Sequence, residues 1–287
     1  MSSQTMTCQS MTSQHHKIAK INHQPLPYID KGTGPVLLFC HGLLMDKSMW
    51  QQQIELLSRD YRCIAIDLWG HGDSHSIPDS TTQLPDIAKQ YLQLLELLSI
   101  EQCTVIGLGT GGAIATEMVL QAPKMIAGLV LINAFVGFEP EVNCAKYQIW
   151  MDSAKKSENL SALINDIAPL FAPKNQQTTE TIATAKLHFE QYSSISQTHK
   201  NALLAMCRMG IYKRDSLENV EQLTLPCLVM IGVQSQLRTV LESYLMHDAI
   251  DGSELVHLVN AGQLAPLEQP VDVNQHLQLF LTKMHKS

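Results

Sequence analysis

Six short apolar runs, each closed by a turn and spaced by helical pattern, fix most of what this chain is able to fold into. VLLFC (36–40), CIAID (63–67), CTVIG (103–107), LVLIN (129–133), CLVMIG (227–232) and ELVHLV (254–259) are nearly continuous in apolar residues. A strand reads this way when both of its faces are covered and neither meets water. Helical periodicity fills the intervals at about 47–58, 82–98, 111–122, 239–248 and 268–284. KIAKIN and PLPYID, ahead of the first run, read as an opening hairpin. Alternation of this kind predicts an α/β architecture: a mostly parallel sheet of eight strands with helices on both faces.

The rhythm breaks once. Between the runs at 129–133 and 227–232 lie more than ninety residues without a strand pattern. AKYQIWMDSAKK, LSALINDIAPLF and TIATAKLHFEQY have helical periodicity there, punctuated by Pro140, Pro169, Pro173 and Gly210. Residues 138–215 are therefore expected to form a helical cap, or lid, inserted over the C-terminal edge of the sheet, where ligands bind in open α/β sheets. That leaves 16–137 and 216–287 as the core. Residues 1–15 are polar, lack the apolar block of a signal peptide and are expected to be a flexible tail.

Composition narrows the function classes. With 45% hydrophobic and 16% charged residues the chain can bury a large core, and a net charge of −7 argues against a nucleic-acid partner. No apolar stretch reaches membrane-spanning length, so no membrane partner is expected. Seven scattered cysteines without a C-x-x-C pair fit reduced thiols in a cytoplasmic protein and suggest no metal site.

Four turn segments carry the chemistry. In FCHGLLMDKSMW a strand ends at His41-Gly42, and Leu43 offers a backbone N–H above the sheet. In AIDLWGHGDS, Asp67 closes a strand and His71 sits in a Gly-flanked loop, where a structural role is expected. In VIGLGTGG, Gly107, Gly109 and Gly112 satisfy G-x-G-x-x-G, the dinucleotide fingerprint. That reading needs an acidic residue at the end of the next strand to hold the ribose, and Asn133-Ala134 stands there. The same letters fit G-x-S-x-G, a nucleophile elbow, with glycine in place of serine. Last, NAGQLAPLEQP (260–270) turns into the final helix.

Taken together and in this order, the four segments resemble the α/β-hydrolase fold family of capped esterases and C–C hydrolases, over about residues 16–284. The resemblance implies a Ser–acid–His triad and an oxyanion hole, and the chain departs from it at every triad position. The elbow serine would fall at Gly109, the acid after CLVMIG at Ser235, and the base of N-A-G-H at Gln263. The alternative place for the acid, near Asn133, is uncharged as well. What remains are the oxyanion and ligand-binding positions His41, Gly42, Leu43 and Thr110, the last expected to cap its helix with its hydroxyl. No cofactor is implied. The resulting expectation is a pseudoenzyme or inactivated hydrolase. Its capped pocket would bind a small apolar or carbonyl-containing ligand, with room for a protein partner. A lyase, isomerase or cyclase, or a hydrolase with a displaced nucleophile, is the alternative. Cys40, and Tyr147, Asp152, His188 or Arg208 of the cap, are the side chains then available for other chemistry.

Overall fold

The computed structural model describes residues 15–284. The tail expected over 1–15 lies outside them except for its last residue. Among the described residues eight strands form one sheet: β1 (His16–Ile21), β2 (Gln24–Lys31), β3 (Val36–Cys40), β4 (Arg62–Ile66), β5 (Cys103–Leu108), β6 (Ile126–Ile132), β7 (Cys227–Gly232) and β8 (Glu254–Leu258). Their order is β1-β2-β4-β3-β5-β6-β7-β8. β2 pairs antiparallel with β1 and with β4. Every other pairing is parallel.

The helices are α1 (Gln51–Leu57), α2 (Leu84–Leu97), α3 (Thr110–Gln121), α4 (Glu141–Lys156), α5 (Ser161–Ile167), α6 (Thr179–Phe189), α7 (Gln197–Ile211), α8 (Leu217–Val220), α9 (Val240–Ala249), α10 (Ala265–Glu268) and α11 (Pro270–Met284). The central strands separate two apolar layers, as their period of two requires. Leu38, Cys40, Ile64, Ile66 and Val105 pack on one side with residues of α2 and α3. Leu37, Phe39, Cys63, Ala65 and Ile106 pack on the other with α1 and α11. Each fully buried Leu, Ile or Phe contributes roughly 1.5–3 kcal/mol relative to exposure, which is why these strands are apolar throughout rather than alternating. Helix α2 shows the complementary pattern. Leu84, Ile87, Ala88, Tyr91, Leu92 and Leu95 form its buried stripe, and Gln83 and Asp86 close its N-terminus reciprocally.

The interval from 138 to 215 is helical, with α4 to α7 and two short 3₁₀ turns. Gly210 is the last residue but one of α7, and a Cβ there would stand 2.9 Å from Thr110 Oγ1 and 3.2 Å from Leu43 Cδ1. The glycine thus lets α7 rest directly on two turns of the core. Thr110 is the first residue of α3, and no side-chain hydrogen bond closes that helix. Its hydroxyl faces Gly210 instead of capping.

Candidate active site

The elbow is built by steric necessity. A single residue, Gly109, joins β5 to α3, with φ 54° and ψ −118°. A Cβ on Gly107 would stand 2.4 Å from Gly112 N, and one on Gly111 would stand 2.2 Å from Cys40 O. Those glycines are required by the close approach of strand and helix, so the glycine-rich pattern needs no phosphate to explain it. Gly109 differs. A Cβ there meets nothing nearer than Gln263 Nε2 at 3.5 Å. Only its backbone conformation, not lack of room, favours glycine.

Ser235, Gln263 and Gly109 meet at this point although they lie far apart in sequence. Ser235 Oγ donates to Gln263 Oε1 at 2.7 Å and accepts from the backbone N–H of Arg238 at 3.1 Å. Gln263 Nε2 donates to Asn133 O at 3.4 Å. The loop carrying Gln263 is held from two sides. Asn133 Nδ2 donates to the carbonyls of Gly262 and Gln263 at 2.8 and 2.9 Å, while its Oδ1 accepts from Gly232 N at 2.7 Å. The Glu268 carboxylate accepts from Gly262 N and Leu264 N, the residues flanking Gln263. Burial pushes the Glu268 carboxyl up to about 7 against the lowering effect of these donors.

The turn after β3 is fixed as firmly. Asp67 accepts from Lys47 N at 2.8 Å and from Lys47 Nζ at 2.7 Å, tying the loop to the end of β4. Tyr192, from the helical insertion, donates to Met45 O at 2.9 Å and accepts from Gly72 N at 3.1 Å. Leu43 and Thr110 line a cavity of about 190 Å³ together with Gly42, Gly109 and Gln263. Neither the Leu43 nor the Thr110 backbone N–H donates to another protein group among the described residues.

His41 does not join them and is corrected from a ligand-binding to a framework residue. It is fully buried and absent from the cavity wall. Its Nε2 accepts from Leu68 N at 2.9 Å, so the proton sits on Nδ1, 2.7 Å from Gly42 O. Burial holds its pKa down at about 4. His71 is likewise enclosed, with Nδ1 3.0 Å from Trp69 O and a pKa held at about 3 by burial. Cys40 is buried in the core, and desolvation raises its thiol. Of the four cap side chains named from sequence, Tyr147 lines the cavity. His188 lies against Asp46 at 3.3 Å, Asp152 accepts from Gln148, and Arg208 stacks on Tyr212, all away from it.

The cavity wall is otherwise apolar, with Trp150, Phe135, Leu163, Phe171 and Phe189 among its residues. Its polar corner was not foreseen: Glu139, Lys213 and Arg238. Arg238 bridges Glu139 and Glu242, the latter at 3.1 Å. Burial, then Arg238, pulls Lys213 down to about 8. Glu139 and Arg238 are 99 residues apart, so no local spacing in the sequence announces their contact.

Residues 35–270 match the model of the alpha/beta hydrolase fold family. The chain belongs to the α/β-hydrolase fold family. Its relatives in this family include 3-oxoadipate enol-lactonase 1 of Acinetobacter baylyi, 22% identical over 86% of this chain and 87% of the relative. A carboxylesterase of Bacillus subtilis is 26% identical over 86% of this chain and 80% of its own. Among solved structures, a thermophilic esterase from Thermogutta terrifontis superposes with a TM-score of 0.83 at 23% identity, covering 94% of this chain and 99% of that one. These relatives are hydrolases, and the eight-stranded α/β-hydrolase sheet expected from sequence is present. Among the described residues no helix is long and apolar enough to cross a membrane, and no group of three or more His, Cys, Asp or Glu could hold a metal ion.

Proposed function

We propose that this α/β-hydrolase-fold protein has lost triad chemistry and uses its cavity, roofed by the 138–215 cap, to bind a small apolar ligand bearing a carbonyl group. The observation that carries this reading is the Ser235–Gln263 hydrogen bond, 2.7 Å long, beside a side-chain-free Gly109. In the family's terms a hydroxyl stands in the place of the acid, an amide in that of the base, and nothing in that of the nucleophile. Glycine has no atom with which to attack a carbonyl. The Gln263 amide does not exchange a proton usefully near neutral pH. Removing a whole triad in a serine protease costs about 10⁶ in turnover and leaves roughly 10³–10⁴ over water from binding and the oxyanion hole. The N–H groups of Leu43 and Thr110 are donors suited to a carbonyl oxygen. The relatives named as a lactonase and a carboxylesterase favour the same ligand chemistry.

Two measurements test this. Incubation with a fluorophosphonate, followed by intact mass, is expected to leave the parent unlabelled. The variant Gly109→Ser/Ser235→Asp/Gln263→His is expected to label and to hydrolyse short-chain nitrophenyl esters with a burst. Stoichiometric labelling of the parent would overturn the proposal by revealing a displaced nucleophile.

A further inference from the structure

Gln263 presents a hydrogen-bond donor that no protein group takes, and counting lone pairs fixes the direction of its amide. The Ser235 hydroxyl has two lone pairs and one hydrogen. Both lone pairs are filled, by the backbone N–H groups of Leu237 and Arg238 at 3.3 and 3.1 Å. Its hydrogen must therefore be donated, and the Gln263 atom 2.7 Å away is the amide oxygen, Oε1. The nitrogen, Nε2, then points away from Ser235 and carries two hydrogens. One is directed at Asn133 O at 3.4 Å. The other has no acceptor among the described residues. It faces the space left by the missing side chain at 109, where a Cβ would stand 3.5 Å from Nε2. An oxygen lodged in that space lies within hydrogen-bonding reach of it. Gln263 is 6% exposed and lines the cavity, so this donor looks onto the cavity rather than onto bulk solvent. A buried donor left without an acceptor is costly.

We infer that Gln263 is a specificity-determining residue, and that the ligand is a neutral dicarbonyl compound whose second carbonyl oxygen accepts the free Nε2 hydrogen over Gly109. The donors call for two oxygens. The N–H groups of Leu43 and Thr110 fill both lone pairs of one carbonyl oxygen, which leaves the Gln263 N–H for another. The charges call for a neutral ligand. The ionised groups on the cavity wall, Glu139, Lys213 and Arg238, are balanced together with Glu242 beside them, so an added anion would be uncompensated. A carbonyl oxygen accepts strongly without bringing a donor of its own. The bridging oxygen of an ester has its lone pair drawn into the carbonyl, and an amide N–H at this point would set donor against donor. The inference rests on the cavity being a ligand site, as proposed above, and adds the second acceptor and the residue that reads it.

Isothermal titration with 1-phenylpropane-1,2-dione and the matching monoketone, 1-phenylpropan-1-one, tests it on the intact chain. The pair 2,2-dimethyl-1-phenylbutane-1,3-dione and 2,2-dimethyl-1-phenylbutan-1-one repeats the comparison with the carbonyls one carbon further apart. In at least one pair the parent is expected to bind the dione about two- to tenfold more tightly, the contribution of one neutral hydrogen bond. Gln263→Met fills similar space without a donor. It is expected to bind both members of that pair alike and to keep the parent's affinity for the monoketone. A second measurement needs no variant. In isotope-edited infrared spectra of the preferred dione bound to the parent, both carbonyl stretches should fall in frequency relative to an apolar solvent, because both oxygens accept hydrogen bonds. Equal binding within both pairs, one carbonyl band left unshifted, or a preference surviving in Gln263→Met would overturn the inference and leave the cavity standing as a ligand site. Failure of the parent to bind any of the four compounds would overturn the inference and the cavity reading together, whatever the fluorophosphonate result.

Discussion

Placing a side chain at Gly109 isolates backbone strain from crowding. The residue sits at φ 54°, ψ −118°, a region that an L-residue occupies at a cost of about 1–3 kcal/mol. A new Cβ would have its nearest neighbour at 3.5 Å, so no steric term adds to that. Replacing glycine also removes unfolded-chain entropy, which returns about 0.4–1 kcal/mol. Gly109→Ala is therefore expected to lose about 0.5–2.5 kcal/mol. With about 2.1 cal/mol/K per residue, 287 residues give an unfolding entropy of about 0.6 kcal/mol/K, so Tm should fall by about 1–4 °C. Gly109→Ser should match Gly109→Ala, because neither side chain is crowded. Gly111→Ala is the contrast: its Cβ would stand 2.2 Å from Cys40 O, and its loss should be several times larger. Calorimetry on the three variants at one pH reads all of this. A Gly109→Ala protein as stable as the parent, or one damaged as badly as Gly111→Ala, would show that the elbow is not a strained but roomy turn.

The remaining expectations concern charge. His41 is held at about 4 against an ordinary 6.5, so the unfolded chain takes up this proton first. Its contribution is complete above pH 6.5 and is lost as pH falls towards 4, and His41→Asn should flatten that part of a Tm–pH curve. Glu268 has the opposite sign: raised to about 7 from 4.5 by burial, it contributes most below pH 4.5 and loses that contribution as pH rises through 7. Glu268→Gln should remove this loss and be relatively more stable than the parent at pH 8 than at pH 5. Arg238→Met leaves the buried Glu139 carboxylate unpaired and should cost about 3–5 kcal/mol, much of which Glu139→Gln in the same chain should recover; no recovery in the double variant would show that the pair is not coupled.

How much of this was legible beforehand follows from the range of each interaction. The strands at 36–40 and 227–232 carry their own burial pattern, and the structure begins and ends them where the apolar runs do. β6 starts three residues before its apolar run, at Ile126, because pairing with Cys103 extends it. Gly210 marked the end of its helix to within a residue, as a residue that weakens helices does. Its reason for being there, contact with Thr110 and Leu43, belongs to tertiary packing. His41 misled: its neighbours Gly42 and Leu43 reach the cavity, but its ring turns into the core to meet Leu68. The corner of Glu139, Lys213 and Arg238 was invisible because three ordinary charged residues acquire meaning only when three loops, before α4, after α7 and before α9, meet.

On the proposed reading of Gly109, Ser235 and Gln263 as a vacated triad, the three positions form one coupled unit rather than three separate departures. A carboxylate at position 235 would lie part-buried beside Gln263, with no imidazolium to balance it, at the cost of an uncompensated charge. The Ser235 hydroxyl avoids this. It donates to Gln263 Oε1 while accepting from the N–H groups of Leu237 and Arg238 at 3.3 and 3.1 Å, so it joins the loop after β7 to the loop after β8 with neutral groups only. Gln263 in turn keeps a donor directed at Asn133 O. The prediction that follows is non-additive. Ser235→Asp alone should destabilise the protein, and Gln263→His alone should give no esterase activity. In the pair, the imidazole should relieve the charge penalty of the aspartate, with a coupling energy of about 0.5–3 kcal/mol in a double-mutant cycle. A cycle that closes with no coupling would mean that Ser235 and Gln263 do not inherit the geometry of an acid and a base.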